Sequence, residues 1–418
     1  METSTPVIQV LSRNNYEEQH LVTLPNALPL PELNPSSIRV QTSIISLTAN
    51  NLTYGRIGHL LSIWDIHPLP PSIPTEYSDP TKFGRIAAWG YATVLESNVS
   101  EIGTGAQIFG LLPIGTLPLD MQIRMNPEVP TQFFEISKHR ENVMSLYNQY
   151  TSYPPSKRTE ELKKSQAYDA LFQIFFTTSY LINRFSFPWD SEELIPPAAN
   201  WTLEKGTIDS KTVILIFADS GKTALALAYL LKSSRPAGTQ PRTILGIGSS
   251  KSRSFAKETG LYDKVLTYDS DSDNNLDAKL DLKADSKILL VEFGSRGEAG
   301  NRWEDKFREE GRNVEQLIVA GEVVAESPEK ANERFKKRTE RGASVFNASI
   351  VRGKAIEVLG EKRFFEELMR EWKVFKEGGL VESLRLVWGE GMEGVGKGWE
   401  RLCEGGVSAD QGLVFSLD

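Results

Sequence analysis

Two short segments carry the residues best suited to hold an anionic ligand. The first, Ala218-Asp219-Ser220-Gly221-Lys222-Thr223-Ala224, follows the apolar run Thr212-Val-Ile-Leu-Ile-Phe. The second, Gly246-Ile-Gly-Ser249-Ser250-Lys251-Ser-Arg253, completes the run that starts Thr243-Ile-Leu. Free N–H groups and a partial positive charge at a helix start attract phosphate, and small residues let the backbone approach it. Ser220, Gly221, Lys222 and Thr223 are therefore candidate pyrophosphate contacts. The dinucleotide fingerprint Gly-x-Gly-x-x-Gly is here reduced to Gly221, with Ser220, Thr223 and Ala224 as its small neighbours. Gly221-Lys-Thr also resembles the end of a triphosphate-binding loop. That loop needs a glycine five positions earlier, where this chain has Ile216 inside an apolar strand, so nucleotide-triphosphate hydrolysis is set aside. In NAD-binding folds the second strand ends in a carboxylate that bonds the ribose hydroxyls. Ser249, Ser250, Lys251 and Arg253 stand there instead, groups that suit a 2′-phosphate. The expected cofactor is NADP(H). Asp219 argues against this, because a carboxylate beside a pyrophosphate weakens binding unless it points away.

The elements around these segments read as alternating strands and helices. Strands are expected at Thr212–Ala218, Arg242–Gly248, Lys264–Tyr268, Lys287–Phe293 and Asn313–Val319, with helices at Thr223–Lys232 and Ser252–Glu258. Helices between apolar strands imply a parallel sheet with right-handed crossovers. Residues 1 to about 135 read as short strands between Gly and Pro turns, a small barrel-like domain. His67–Pro80 holds five prolines and is expected as a loop. Glu160–Phe185 reads as a largely buried helix, residues 325–378 as exposed charged helices, and Gly412-Leu-Val-Phe-Ser-Leu as a last strand returning to one of the sheets. The acidic loop Asp269-Ser-Asp-Ser-Asp-Asn-Asn-Leu-Asp lacks the central Gly and closing Glu of a calcium loop.

Composition excludes several functions. The 418 residues carry a net charge of −8, which does not suit a general nucleic-acid binder. No apolar run is long enough to span a bilayer. The single cysteine, Cys403, rules out an internal disulfide and a multi-cysteine zinc site. His20, His59, His67 and His139 form no ligand cluster in sequence, so no metal is expected. The start Met-Glu-Thr-Ser-Thr-Pro-Val lacks a signal-peptide pattern. The expected location is cytoplasmic, and the expected partner is a small-molecule substrate.

Further segments resemble a known superfamily. Ala49-Asn-Asn-Leu-Thr-Tyr-Gly is similar to a quinone-reductase segment after the second core strand. Trp89-Gly-Tyr-Ala-Thr-Val-Leu-Glu-Ser, then Gly105-Ala-Gln-Ile-Phe-Gly, resembles the lead into a raised-loop glycine turn. Thr259-Gly-Leu-Tyr-Asp-Lys-Val-Leu-Thr-Tyr-Asp resembles the helix, Gly, strand passage after the second Rossmann strand. The chain thus resembles the zinc-independent medium-chain dehydrogenase/reductases, and within them the DUF2855 family. The resemblance implies an α/β fold. A GroES-like β-rich barrel domain would span 1–165, completed by about 380–418, and a Rossmann-type NADP-binding domain would span 166–379. It implies a homodimer and reduction of an activated C=C or C=O bond, with a secondary metabolite as one substrate class. Tyr54 is the implied proton donor and Asn51 the implied holder of substrate or nicotinamide, with Asn50 beside them. Phe293 and Gly294 would approach the nicotinamide, and Tyr268 completes the cofactor set. Two alternatives stay open: a non-redox isomerase, cyclase or lyase on the same fold, and a non-enzymatic interaction protein using the charged 325–378 helices.

Overall fold

Two sheets divide the chain between them. The computed structural model describes residues 5–273, 276–322 and 328–417. The first part contains β1 (Val7–Ser12), β2 (Gln19–Thr23), β3 (Ser37–Leu47), α1 (Ala49–Ile57), β4 (Phe83–Gly84), β5 (Ala87–Ser97), β6 (Gln107–Pro113), β7 (Leu119–Met125), β8 (Gln132–Glu135) and β9 (Gln149–Tyr153). Strands β3, β5, β6, β9, β8 and β7 pair antiparallel in that order, and β7 returns to β3. The ring is a closed six-stranded barrel, which leaves no edge among these strands. The proline-rich segment 67–80 carries a single 3-10 turn, Thr75–Tyr77.

One glycine lets the barrel close. Gly90 of β5 faces the bulged part of β3, where a Cβ would stand 2.0 Å from the Ile44 carbonyl oxygen and 2.9 Å from Ile45 Cα. Both obstacles are backbone, so no rotamer change relieves the clash. Gly90→Ala is expected to lower unfolding free energy by about 3 kcal/mol or more, read by urea denaturation. A loss under about 0.5 kcal/mol, ordinary for a surface site, would show that β3 and β5 do not approach in this way.

The second part contains α2 (Glu160–Leu181), α3 (Leu203–Gly206), β10 (Thr212–Phe217), α4 (Lys222–Ser233), β11 (Thr243–Gly248), α5 (Arg253–Glu258), β12 (Lys264–Thr267), α6 (Leu276–Leu280), β13 (Lys287–Phe293), α7 (Ala299–Glu309), β14 (Asn313–Ala320), α8 (Pro328–Glu340), β15 (Ser344–Val345), α9 (Ala348–Leu359) and α10 (Glu361–Glu377). The sheet order is β12-β11-β10-β13-β14-β15, all parallel. This is the doubly wound Rossmann order, whose direction reverses between β10 and β13. Every residue of β10 and β11 is buried, because helices cover both faces, and this is why those strands read as unbroken apolar runs.

Three final elements follow: β16 (Arg385–Glu390), α11 (Gly391–Cys403) and β17 (Gln411–Ser416). β17 pairs antiparallel with β3, and β16 pairs parallel with β17. The Gly-rich stretch before β17 is helical, against its composition. A Cβ on Gly398 would meet Phe415 Cζ at 2.2 Å and one on Gly396 would meet Leu21 Cδ1 at 3.1 Å. The helix accepts poor propensity to lie close on β17 and β2.

Helix α2 joins the two parts. Ser46 of β3 donates to the Ala170 carbonyl at 2.7 Å, and Tyr91 of β5 donates to Asp169 at 2.8 Å. Farther along, Ser179 donates to the Thr223 carbonyl at 2.7 Å, at the start of α4. The same helix therefore holds both the barrel and the turn after β10. The segment read as exposed charged helices contains α10, and that helix is not free: Phe364, Phe365, Leu368, Trp372 and Phe375 are all buried. Phe176 of α2 meets Trp372 and Phe375 at ring distances of 5.4 and 5.0 Å. Lys376 pairs with buried Asp169 at 2.6 Å. The five apolar side chains recur at helical spacing, and that stripe is covered by α2.

Candidate active site

The carboxyl ends of β13, β14 and β15, with the start of α4, face the barrel across a cleft of about 390 Å³. In open α/β sheets ligands bind outside the carboxyl ends of the strands, at the point where strand order reverses. One wall is α1. Its start is held by a capping box in which Thr48 accepts from Asn50 N and Asn51 Oδ1 accepts from Thr48 N at 2.8 Å. Asn51 Nδ2 also donates to the Ala87 carbonyl at 2.9 Å. Its side chain is spent on fixing α1 against β5, and it is absent from the cleft lining. Asn50, Thr53, Tyr54 and Ile57, at one-face helical spacing, line the cleft instead. The opposite wall includes Thr223, Phe293, Gly321 and Asn347.

Tyr54 is 2% exposed and lies at the cleft floor. Trp89 Nε1 donates to its hydroxyl at 3.3 Å. Burial raises the Tyr54 phenol above its usual value, and donors from Tyr147, Trp89 and Asn50 oppose the rise. The Trp89 bond takes one acceptor position on the phenolic oxygen and leaves the phenol's own proton to be donated. Burial also holds the Tyr147 phenol well above its usual value, with Tyr54 adding to the effect. At neutral pH both groups are acids with a proton to give.

Tyr147 was not among the residues picked out from sequence. It sits in a short 3-10 turn, Ser145–Asn148, that has no readable period. Its ring meets Tyr54 edge to face at 5.7 Å. The only signal in the chain is the recurrence of tyrosine at 147, 150 and 153. Arg56 was also missed. It lines the cleft and donates to the Glu322 carbonyl at 2.7 Å.

The turn after β10 brings a second group together. Ala218 adopts φ +58°, a left-handed conformation that turns the chain sharply out of the strand. Gly221 is the N-cap of α4 and supplies no side-chain cap, so the first amides of the helix carry no side-chain acceptor. Burial lowers Lys222 to about 8. Thr223 belongs both to this turn and to the cleft. Tyr268, just beyond β12, is half-buried against the cluster containing Phe217 and Trp303, and its phenol reaches the Ala218 backbone. Burial raises that phenol, with Asp219 adding to the shift.

At the end of β11, Ser249 and Ser252 share a hydroxyl contact of 3.1 Å. Ser250, Lys251 and Arg253 are exposed, and neither cation forms an ion pair with a described residue. Gly294 follows β13 with φ +116°, where a Cβ would approach the Gly321 carbonyl oxygen at 3.1 Å. The residues read from sequence thus form three sets: Tyr54, Thr223 and Phe293 on the cleft; Ser220 to Thr223 with Tyr268 at the turn; and Ser249 to Arg253 beyond β11. The uncapped helix start and the two unpaired cations have the chemistry to take phosphate groups.

Among the described residues no group of three or more His, Cys, Asp or Glu side chains is placed to hold a metal ion. Among them, too, no helix is long and apolar enough to cross a membrane. The acidic loop after β12 engages Arg302 through Asp269 and Asp271; its Asn274 and Asn275 lie outside the described residues.

The closed six-stranded barrel and the parallel Rossmann-type sheet make a two-domain α/β architecture with the cleft between them. Residues 45–408 match the family model described as "Protein of unknown function (DUF2855)", and the chain belongs to that family. No curated protein matches it significantly. Among solved structures, CurA in complex with NADPH from Vibrio vulnificus aligns over 99% of both chains at 11% identity, with a TM-score of 0.55. The CurF ER cyclopropanase from the curacin A biosynthetic pathway aligns over 99% of this chain and 100% of its own, at 14% identity and a TM-score of 0.54. The ETR1P/NADP/crotonyl-CoA complex aligns over 99% of both chains at 10% identity, again with a TM-score of 0.54. At such identities these likenesses establish the fold.

Proposed function

We propose that the chain is a zinc-independent, NADP(H)-dependent oxidoreductase that reduces an activated C=C or C=O bond of a small molecule. The observation that carries this reading is Tyr54: a buried phenol that accepts from Trp89 and lines, with Thr223 and Phe293, a cleft at the sheet's switch point. Two of the solved structures of this fold are described with NADPH or NADP bound, which favours the same cofactor. Ser220 to Thr223 would hold the pyrophosphate. Ser249, Ser250, Lys251 and Arg253 would hold the 2′-phosphate, and Phe293 and Gly294 would flank the nicotinamide. When bound, NADPH supplies a hydride to the substrate's electrophilic carbon.

The chain's own residues do the rest. The apolar wall of Ile57, Leu60, Leu61, Met144 and Ile174 receives the substrate body. Tyr54 donates a hydrogen bond to the oxygen on which charge develops, and then its proton. For an enone the C=C π bond breaks and one C–H bond forms from the hydride. A second forms from the proton, which solvent returns to Tyr54. For a simple carbonyl the proton ends on oxygen.

Asp219 favours a second reading, a non-redox lyase, cyclase or isomerase on this fold, because a carboxylate sits in the turn that would take phosphate. The cyclopropanase of similar fold gives that reading a precedent in architecture. Incubating the protein with NADPH and a panel of enones, quinones and enoyl thioesters separates the two. Oxidation of NADPH by at least one panel member is expected. Tight NADPH binding with no oxidation across the panel would favour the second reading.

A further inference from the structure

Asp219 occupies a site of its own. It is fully buried, and neither carboxylate oxygen has a hydrogen-bond partner. Its side chain lies across the end of β11. A Cβ on Gly248 would stand 2.1 Å from Asp219 Oδ1, and one on Gly246 would stand 3.0 Å from Asp219 Cβ. The Gly-x-Gly ending of β11 is thus a cradle for this carboxyl, which explains why both positions lack a side chain.

The groups around it offer no compensating cation. From the segment before β12, Tyr262 donates to the Asp219 backbone carbonyl at 2.6 Å. From beyond β12, Tyr268 faces it, and both phenols are pushed up by its charge after burial. From the β11–α5 connection comes Ser252, and from its own turn the Ser220 amide. Both lie close enough to oppose the rise that burial causes without closing a hydrogen bond to either oxygen, and the carboxyl still stands at about 7. On α4, Lys222 is the nearest cation in sequence, and it forms no ion pair with Asp219. An isolated carboxylate in such a place is costly, and the ordinary resolution is to keep the proton. Two phosphates at the start of α4 would add further negative charge beside it.

We infer that Asp219 enters the cofactor complex as a neutral carboxylic acid, so that NADP(H) binding is coupled to a proton held at this residue. The inference rests on the NADP(H) reading of the cleft. Below neutral pH the proton is already in place and binding is strongest. Above it, each NADPH bound must bring a proton to Asp219. Affinity then falls toward a limit of about tenfold per pH unit, the limit for one coupled proton.

The test is a fluorescence titration of the full chain with NADPH between about pH 6 and pH 8.5, the range that brackets the Asp219 carboxyl, for wild type and Asp219→Asn. The 2′-phosphate (titrating near roughly 6) and Lys222 are common to both proteins, so the difference between them isolates Asp219. Wild-type affinity is expected to drop with rising pH relative to the Asn variant by about tenfold or more across the range. Calorimetry of wild type beside Asp219→Ala, in two buffers of different ionisation enthalpy, is expected to read about one more proton taken up per NADPH by wild type above neutral pH, because Lys222 and the 2′-phosphate contribute to both. The same comparison replaces the titration if Asp219→Asn fails to fold. Parallel pH profiles, or no excess proton uptake by wild type, would overturn the role of Asp219 while leaving the cofactor reading intact. NADPH failing to bind either protein even at the acidic end would overturn the cofactor reading itself.

Discussion

Tyr54→Phe is expected to lower turnover by about 10²- to 10⁴-fold, the ordinary contribution of a positioned general acid. NADPH affinity should change little, because Tyr54 stands on α1, across the cleft from the turn that would hold the phosphates. The substitution removes one oxygen and leaves a ring of the same shape, so packing against Tyr147 at 5.7 Å and Trp89 is kept. The Trp89 indole loses its acceptor, a cost of about 1 to 3 kcal/mol to stability. A loss confined to kcat, with the melting temperature shifted only modestly, is the signature of an interaction made in the transition state. Steady-state kinetics on whichever panel substrate oxidises NADPH fastest reads the effect. An unchanged kcat would remove Tyr54 from the chemistry and transfer attention to Tyr147, the other buried phenol on the cleft.

The second large effect is expected at the end of β11. Lys251 and Arg253 are exposed and form no ion pair with a described residue. Their removal therefore breaks little in the free protein. A charge-assisted hydrogen bond to phosphate contributes about 1.5 to 3 kcal/mol. The double substitution Lys251→Ala/Arg253→Ala should weaken NADPH by about 10²-fold or more. NADH, which lacks the 2′-phosphate, should bind the variant and the wild type alike. Competition titration with both nucleotides checks this. Equal losses for NADPH and NADH would mean that the two cations act on the pyrophosphate or only on the overall field. No loss for either would remove them from the cofactor site.

How much of this could be read from the residues differs by element. The strands β10, β11 and β13 announce themselves because helices bury both of their faces, which forces continuous apolar runs such as Thr212-Val-Ile-Leu-Ile-Phe. The β11 ending can be proposed as a phosphate contact from sequence because Ser249, Ser250, Lys251 and Arg253 are local in it. Asn51 misleads for the opposite reason. An asparagine beside a tyrosine on a cleft helix suits catalysis, yet the capping box and the Ala87 carbonyl take its polar atoms, and that engagement depends on β5, distant in sequence. The same holds for Trp89, whose bond to Tyr54 spans 35 positions.

Two features resist sequence reading for physical reasons. Helix α11 contains glycines that should weaken it, and only the positions of Phe415 and Leu21 explain why they are needed. Asp219 reads as an obstacle to phosphate when taken alone. Its cradle on Gly246 and Gly248 appears only once β10 and β11 are laid side by side, with Ile216 opposite Gly246. The barrel closure through β7 and β3 is likewise a long-range pairing that no local pattern contains.

The central claim is that the cleft between barrel and Rossmann sheet holds NADP(H) with its nicotinamide facing Tyr54. A crystal structure of the chain grown with NADPH tests it most directly. The nicotinamide is expected beside Thr223, Phe293 and Gly294, the pyrophosphate at the start of α4, and the 2′-phosphate between Lys251 and Arg253. A cleft without cofactor at saturating NADPH, or a nucleotide lying away from the start of α4, would contradict it.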